Sequence, residues 1–153
     1  MLSARLNRAK PTILVVDDSP AMLRYLRILL ELESYQVETA SDGAEALQRL
    51  RQGCSPAIVL LDVEMPGMDG LKTLRRLRKL QPDLKVIMCS GVDNPRKVRR
   101  AARLGARAYL CKPVKQLYLS AALEHCLDPN PRSRKFEGPR ATVMTLPPRH
   151  EMN

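Results

Sequence analysis

Aromatic side chains are nearly missing from this chain: it has no tryptophan, one phenylalanine and four tyrosines in 153 residues. Base stacking, a usual grip on single-stranded nucleic acid, has little to work with, and any core must be aliphatic. Cysteine is present but unpatterned. Cys54, Cys89, Cys111 and Cys126 form no CxxC pair and carry no metal-ligand spacing, so they read as small hydrophobes with free thiols. No apolar run approaches the ~18 residues of a membrane span, and no signal-peptide pattern follows the N-terminus. A soluble, cytoplasmic protein is expected. A GxGxxG turn is also missing after the first apolar run, where Asp17-Asp18 stands instead, which removes the dinucleotide fingerprint.

What the chain has in excess is positive charge, formally +10. Its distribution matters more than its size. Residues 1–10 are a short basic arm (Arg5, Arg8, Lys10), and residues 129–153 hold five bases against two acids. Residues 11–128, with 18 bases and 14 acids, are only mildly basic. Over half the excess therefore lies in the flanks, and DNA binding through this chain is not expected.

Between those flanks, short apolar runs alternate with helical patterns. Thr12–Val16 is a buried-strand run. Ser19-Pro20 follows as N-cap and first helical residue, opening a helix from Ala21 to about Glu33. Gln36–Ala40 alternates as an edge strand would, and Ala44–Gln52 is helical. Ala57–Leu61 is an unbroken apolar run that ends in Asp62, which predicts a central strand buried on both faces. A helix over Gly70–Leu80, a strand over Leu84–Cys89, a strongly basic helix from Asn94 to near Gly105, a strand over Ala106–Cys111 and a helix over Lys115–Leu127 complete the series. Strand alternating with helix five times predicts an α/β fold, a five-stranded parallel sheet that is doubly wound, (βα)5. From Pro129 onward the composition turns to proline and arginine, and residues 129–153 are expected to be a disordered tail or the start of a linker.

In an open parallel sheet the ligand crevice lies at the carboxyl ends of the strands. Four of the five expected strands end in something polar: Asp17-Asp18, Asp62, Ser90 and Lys112. Each has an ordinary explanation alone, such as a helix N-terminal acid or a turn former. Their convergence on one edge does not. Two carboxylates about 4 Å apart repel by roughly 1–4 kcal/mol, so three together call for a cation. Mg2+ is the natural candidate, a hard ion held by one or two carboxylates with water and phosphate oxygens. With Lys112 as second cation and Ser90 as hydroxyl donor, the set suits phosphoryl transfer, where positioning and charge neutralisation do most of the catalysis.

Four segments, in order and spacing, carry a specific resemblance: Ile13–Asp18, Leu61–Gly70 (LDVEMPGMDG), Met88–Gly91 and Ala108–Pro113 (AYLCKP). Residues 11–128 resemble the receiver domain of two-component response regulators, in particular single-domain chemotaxis-type receivers. The resemblance implies a flavodoxin-like fold with strand order 2-1-3-4-5. It implies that Asp62 accepts a phosphoryl group from a sensor histidine kinase or histidine phosphotransfer protein, and that Mg2+ is held by Asp18 directly, by Asp17 through water, by Asp62, and by the backbone carbonyl of Glu64. Lys112 and Ser90 would hold the phosphoryl oxygens, and Tyr109 would turn inward on activation. Such a domain catalyses only its own phosphorylation and dephosphorylation. Ser90 stands where threonine is common, Gly91 where alanine is more usual, and Glu64 adds an acid beside the pocket.

The readout face implied is the fourth helix, fifth strand and fifth helix. There Arg96, Lys97, Arg99, Arg100, Arg103 and Arg107 make a basic surface suited to an acidic protein target. Two other forms stay open: the N-terminal receiver of a longer transcriptional regulator, or a receiver-like interaction module that is not phosphorylated. A haloacid-dehalogenase-type phosphatase uses similar groups, but its nucleophilic Asp comes first in the chain and its acid pair last, the reverse of the order here.

Overall fold

The computed structural model describes residues 10–129 and the backbone of residues 143–145. Five parallel strands, β1 (Thr12–Val16), β2 (Gln36–Ala40), β3 (Ile58–Asp62), β4 (Lys85–Ser90) and β5 (Ala108–Cys111), are joined by right-handed crossovers through four helices. These are α1 (Pro20–Leu32), α2 (Gly43–Arg51), α3 (Gly70–Leu80) and α4 (Pro95–Arg103), and α5 (Gln116–Leu127) follows β5. The parallel strands lie in the expected order 2-1-3-4-5. A sixth strand, β6 (Val143–Thr145), pairs antiparallel with β5, Tyr109 opposite Met144. Sequence reading placed no strand there. The rest of the tail, residues 130–142 and 146–153, and most of the basic arm lie outside the described residues.

Side chains alternate across a strand, and the two faces build two cores. Leu14, Val16, Val59, Leu61, Val86, Met88 and Tyr109 pack on one side with Ala46, Leu47 and Leu50 of α2, Leu71, Leu74 and Leu77 of α3, and Val98 and Ala101 of α4. Ile13, Val15, Ile58, Leu60, Ile87, Cys89 and Leu110 pack on the other with Leu26 and Leu30 of α1 and Leu119, Leu123 and Cys126 of α5. β3 is buried along its whole length, whereas β2 is mostly half-exposed. The aliphatic core follows from the composition. Free Cys89 and Cys126 are buried in it as small hydrophobes, while Cys54 and Cys111 are half-buried.

Local chemistry sets where the helices begin. Ser19 caps α1 by accepting from Met22 N, with Pro20 in the first turn. Asp42 caps α2, Asp69 caps α3 by accepting from Lys72 N at 2.9 Å, and Asn94 caps α4 before Pro95. Gly70 does more than start α3. A Cβ there would lie 2.0 Å from the Asp62 carbonyl oxygen and 2.7 Å from Val63 Cα. Only glycine lets the helix begin against the end of β3, and Gly70 N donates to Val63 O at 3.0 Å across that contact. The intervening loop is thereby closed tightly beside Asp62.

Candidate functional site

The strand order reverses between β1 and β3, and the crevice opens at their carboxyl ends. β1 runs out into Asp17, which is buried, and Asp18, which is exposed. β3 ends in Asp62, 3 % exposed. One carboxylate oxygen from each of Asp17, Asp18 and Asp62 lies within 4.8 Å of the others. β5 is followed by Lys112, whose Nζ stands 2.9 Å from Asp17 Oδ2 and 3.2 Å from Asp62 Oδ1. The sequence-predicted acids and lysine therefore meet at one point.

The backbone holds these carboxylates in place. Ser19 N donates to Asp17 Oδ1 at 2.9 Å and Glu64 N donates to Asp62 Oδ1 at 3.2 Å. Lys112 N donates to Ser90 O at 2.7 Å, which ties the end of β5 to the end of β4. Burial, and then the neighbouring Asp17, push the Asp62 carboxyl up to about 6 against the opposing pull of Lys112. Burial works against the Lys112 ammonium, but the bond to Asp17 and the Asp62 charge more than offset it, so its pKa is raised. The lysine is a permanent cation.

Hard oxygen donors, two of them buried beside a single ammonium, suit a small divalent cation: three carboxylates face one lysine, and exposed Asp18 makes no ion pair among the described residues. This donor set fits Mg2+.

Ser90 is fully buried at the end of β4, and its hydroxyl is turned to Glu64, donating to Oε1 at 2.5 Å. Tyr109 is 1 % exposed and packed in the α2–α4 core, with its hydroxyl on the Ser90 side. The aromatic expected to turn inward on activation lies on the inner side in this structure. Burial pushes its phenol above the ordinary range. Of the basic residues on and after α4, Arg96, Arg99, Arg100 and Arg103 are exposed, Arg107 is half-buried, and Lys97 reaches Glu64 at 3.8 Å. The exposed basic surface also extends over α3, through Lys72, Arg75, Arg76 and Lys79. Sequence reasoning counted Glu64 as a backbone ligand and missed its side-chain contacts. The signal available was an acid two residues after Asp62.

Comparison with known proteins agrees with this geometry. The family model described as response regulator receiver domain matches residues 13–124. The chain is 37 % identical over 134 residues to response regulator MprA of Mycobacterium sp. (strain KMS), covering 88 % of this chain and 56 % of that protein. It is 30 % identical to the chemotaxis protein CheY of Halobacterium salinarum, covering 75 % of this chain and 95 % of that one. Among solved structures, a CheY-like receiver domain from Methanospirillum hungatei superposes with a TM-score of 0.72 at 32 % identity, over 76 % of this chain and 92 % of the other. CheY in a CheX-CheY-BeF3-Mg+2 complex from Borrelia burgdorferi gives 0.73 at 27 %, over 76 % and 89 %. The chain thus spans about half the length of some relatives, MprA among them, and nearly the whole of others.

Proposed function

Since this chain belongs to the response regulator receiver family, we propose that Asp62 is its phosphoacceptor and that phosphorylation there switches a protein-binding face. The observation that carries the reading is Lys112, whose one ammonium lies within 3.2 Å of both Asp17 and Asp62. A cation so placed can follow an oxygen of the incoming group as charge moves onto it.

The reaction is an in-line displacement. An oxygen of the Asp62 carboxylate attacks the phosphorus of a phosphohistidine on a kinase or phosphotransfer protein. The P–N bond breaks, its electron pair stays on the imidazole, which takes up a proton, and an acyl phosphate remains on Asp62. Asp17, Asp18, Asp62 and the Glu64 carbonyl would hold Mg2+, which when bound supplies charge neutralisation for the phosphoryl oxygens. Lys112 contributes the second cation, and the Ser90 hydroxyl donates to a phosphoryl oxygen once it turns from Glu64. Water attacking the same phosphorus returns free carboxylate and inorganic phosphate. The chain catalyses only these steps on itself.

The readout face is α4, β5 and α5, with the exposed arginines of α4 addressing an acidic protein target. A receiver that takes its phosphoryl group from a histidine kinase would work in the cytoplasm. Among the described residues no helix is long and apolar enough to cross a membrane. The longer relatives support a second form of the same function, a receiver controlling further domains.

Intact mass after incubation with a small phosphodonor and Mg2+ tests the core of this reading, with beryllofluoride binding measured alongside. The parent should gain one phosphoryl group and Asp62→Asn none. A parent that neither gains mass nor binds beryllofluoride would reduce the chain to a receiver-shaped interaction module.

A further inference from the structure

A hydroxyl has one proton to give. Ser90 gives its proton to Glu64 Oε1 at 2.5 Å, while its oxygen accepts from Val92 N at 3.1 Å. The second Glu64 oxygen accepts from Gly91 N at 3.4 Å, and Lys97 Nζ in the first turn of α4 stands 3.8 Å from Oε1. One side chain, two residues beyond Asp62, thus gathers the hydroxyl ending β4, an amide of the β4–α4 loop and an ammonium of α4. An alternative acceptor for Ser90 is a neutral one, Val92 O at 3.1 Å.

Resting on the phosphoacceptor reading above, we propose that the Glu64 side chain is a positioning residue that latches the switch: its carboxylate competes with the phosphoryl group on Asp62 for the Ser90 proton. While Glu64 holds that proton, Ser90 cannot donate to a phosphoryl oxygen. A bond to a carboxylate is stronger than one to a neutral carbonyl, so release has a cost that the phosphoryl group must meet. Lys97 couples this choice to α4, because the carboxylate that lets go of Ser90 also changes its hold on the helix. Two states that share one proton respond to any change in either acceptor.

The test uses the full chain and titrates beryllofluoride with Mg2+, following amide NMR resonances of Gly91 and Val92. Glu64→Ala should bind about tenfold tighter, the effect expected for losing one charge-assisted hydrogen bond. Its metal-free Gly91 and Val92 resonances should move towards those of the bound parent. Glu64→Gln, which keeps a neutral acceptor and the side-chain shape, should fall between.

The double mutant separates a latch from plain repulsion between Glu64 and the anionic ligand. In a Ser90→Ala background, Glu64→Ala should change affinity by less than about twofold. Equal tightening with and without Ser90 overturns the latch, as does unchanged affinity in Glu64→Ala with unmoved resonances. Both results leave Asp62 as phosphoacceptor intact. No beryllofluoride binding by the parent instead removes that reading, and the latch with it.

Discussion

Asp62 is a carboxyl that its own fold makes easier to protonate. Held up to about 6 from an ordinary 3.8 by burial and then by Asp17, it binds a proton more tightly folded than unfolded. The metal-free fold is therefore weakened as pH rises from about 4 through about 6, and carries the full cost above that. At pH 7.5 the cost is up to about 3 kcal/mol. Asp62→Asn should melt higher than the parent at pH 7.5 without Mg2+, and the gap should shrink by more than half at pH 4.5; thermal melts at the two pH values check this. Lys112 works in the opposite sense. Lys112→Met leaves buried Asp17 and Asp62 facing each other, with a loss of roughly 2–4 kcal/mol in a denaturant melt without metal, towards the low side of buried pairs because the ammonium keeps some exposure. Asp18 is exposed and unpaired among the described residues. Asp18→Ala should thus leave the metal-free protein as stable as the parent or more so, since one of three mutually repelling carboxylates is gone, while abolishing most of the rise produced by Mg2+.

At the scale of elements, the loop from β3 to α3 depends on one contact between backbones. Gly70→Ala puts a methyl 2.0 Å from the Asp62 carbonyl, and the atom it meets cannot rotate away. The first turn of α3 must lift off, costing about 1–3 kcal/mol or more and displacing the Glu64 carbonyl. Differential scanning calorimetry with and without Mg2+ should show a lower melting temperature and a blunted Mg2+ shift, whereas exposed Lys72→Ala in the same helix should show neither. Elements of this kind also mark what could be read from the chain. Asp17, Asp18, Asp62 and Lys112 were legible because parallel strands deliver their carboxyl ends to one edge, so apolar runs locate the residues that follow them. Glu64 was legible only in part: spacing puts it near the crevice, but which way its side chain points depends on how tightly Gly70 closes the loop. Tyr109 is enclosed by the aliphatic α2–α4 core, a placement its strand position allows, whereas its expected movement on activation is a change between two states that one arrangement does not display. β6 was illegible because a three-residue strand carries no periodic signal, and its partner lies more than thirty residues earlier in the chain.

For the whole molecule, the sheet divides two separate cores and ends on unlike flanks. Removing residues 130–153 takes away β6 and strips the outer side of β5 of its backbone partners. Hydrogen exchange at Ala108–Cys111 should then speed up while β1 and β3, paired on both sides, keep their protection; equal rates in both chains would mean the pairing adds nothing in solution. The same short strand bears on how copies of this protein could polymerise. A filament built by adding sheet to sheet needs two templates per molecule, one to receive and one to offer. β6 presents three residues, the shortest edge in the sheet and a poor template. Among the described residues, β2, five residues long and half-exposed, is the edge that remains as an open front. Two molecules meeting through β2 would satisfy each other about a two-fold axis and stop, so growth along this sheet terminates at a pair.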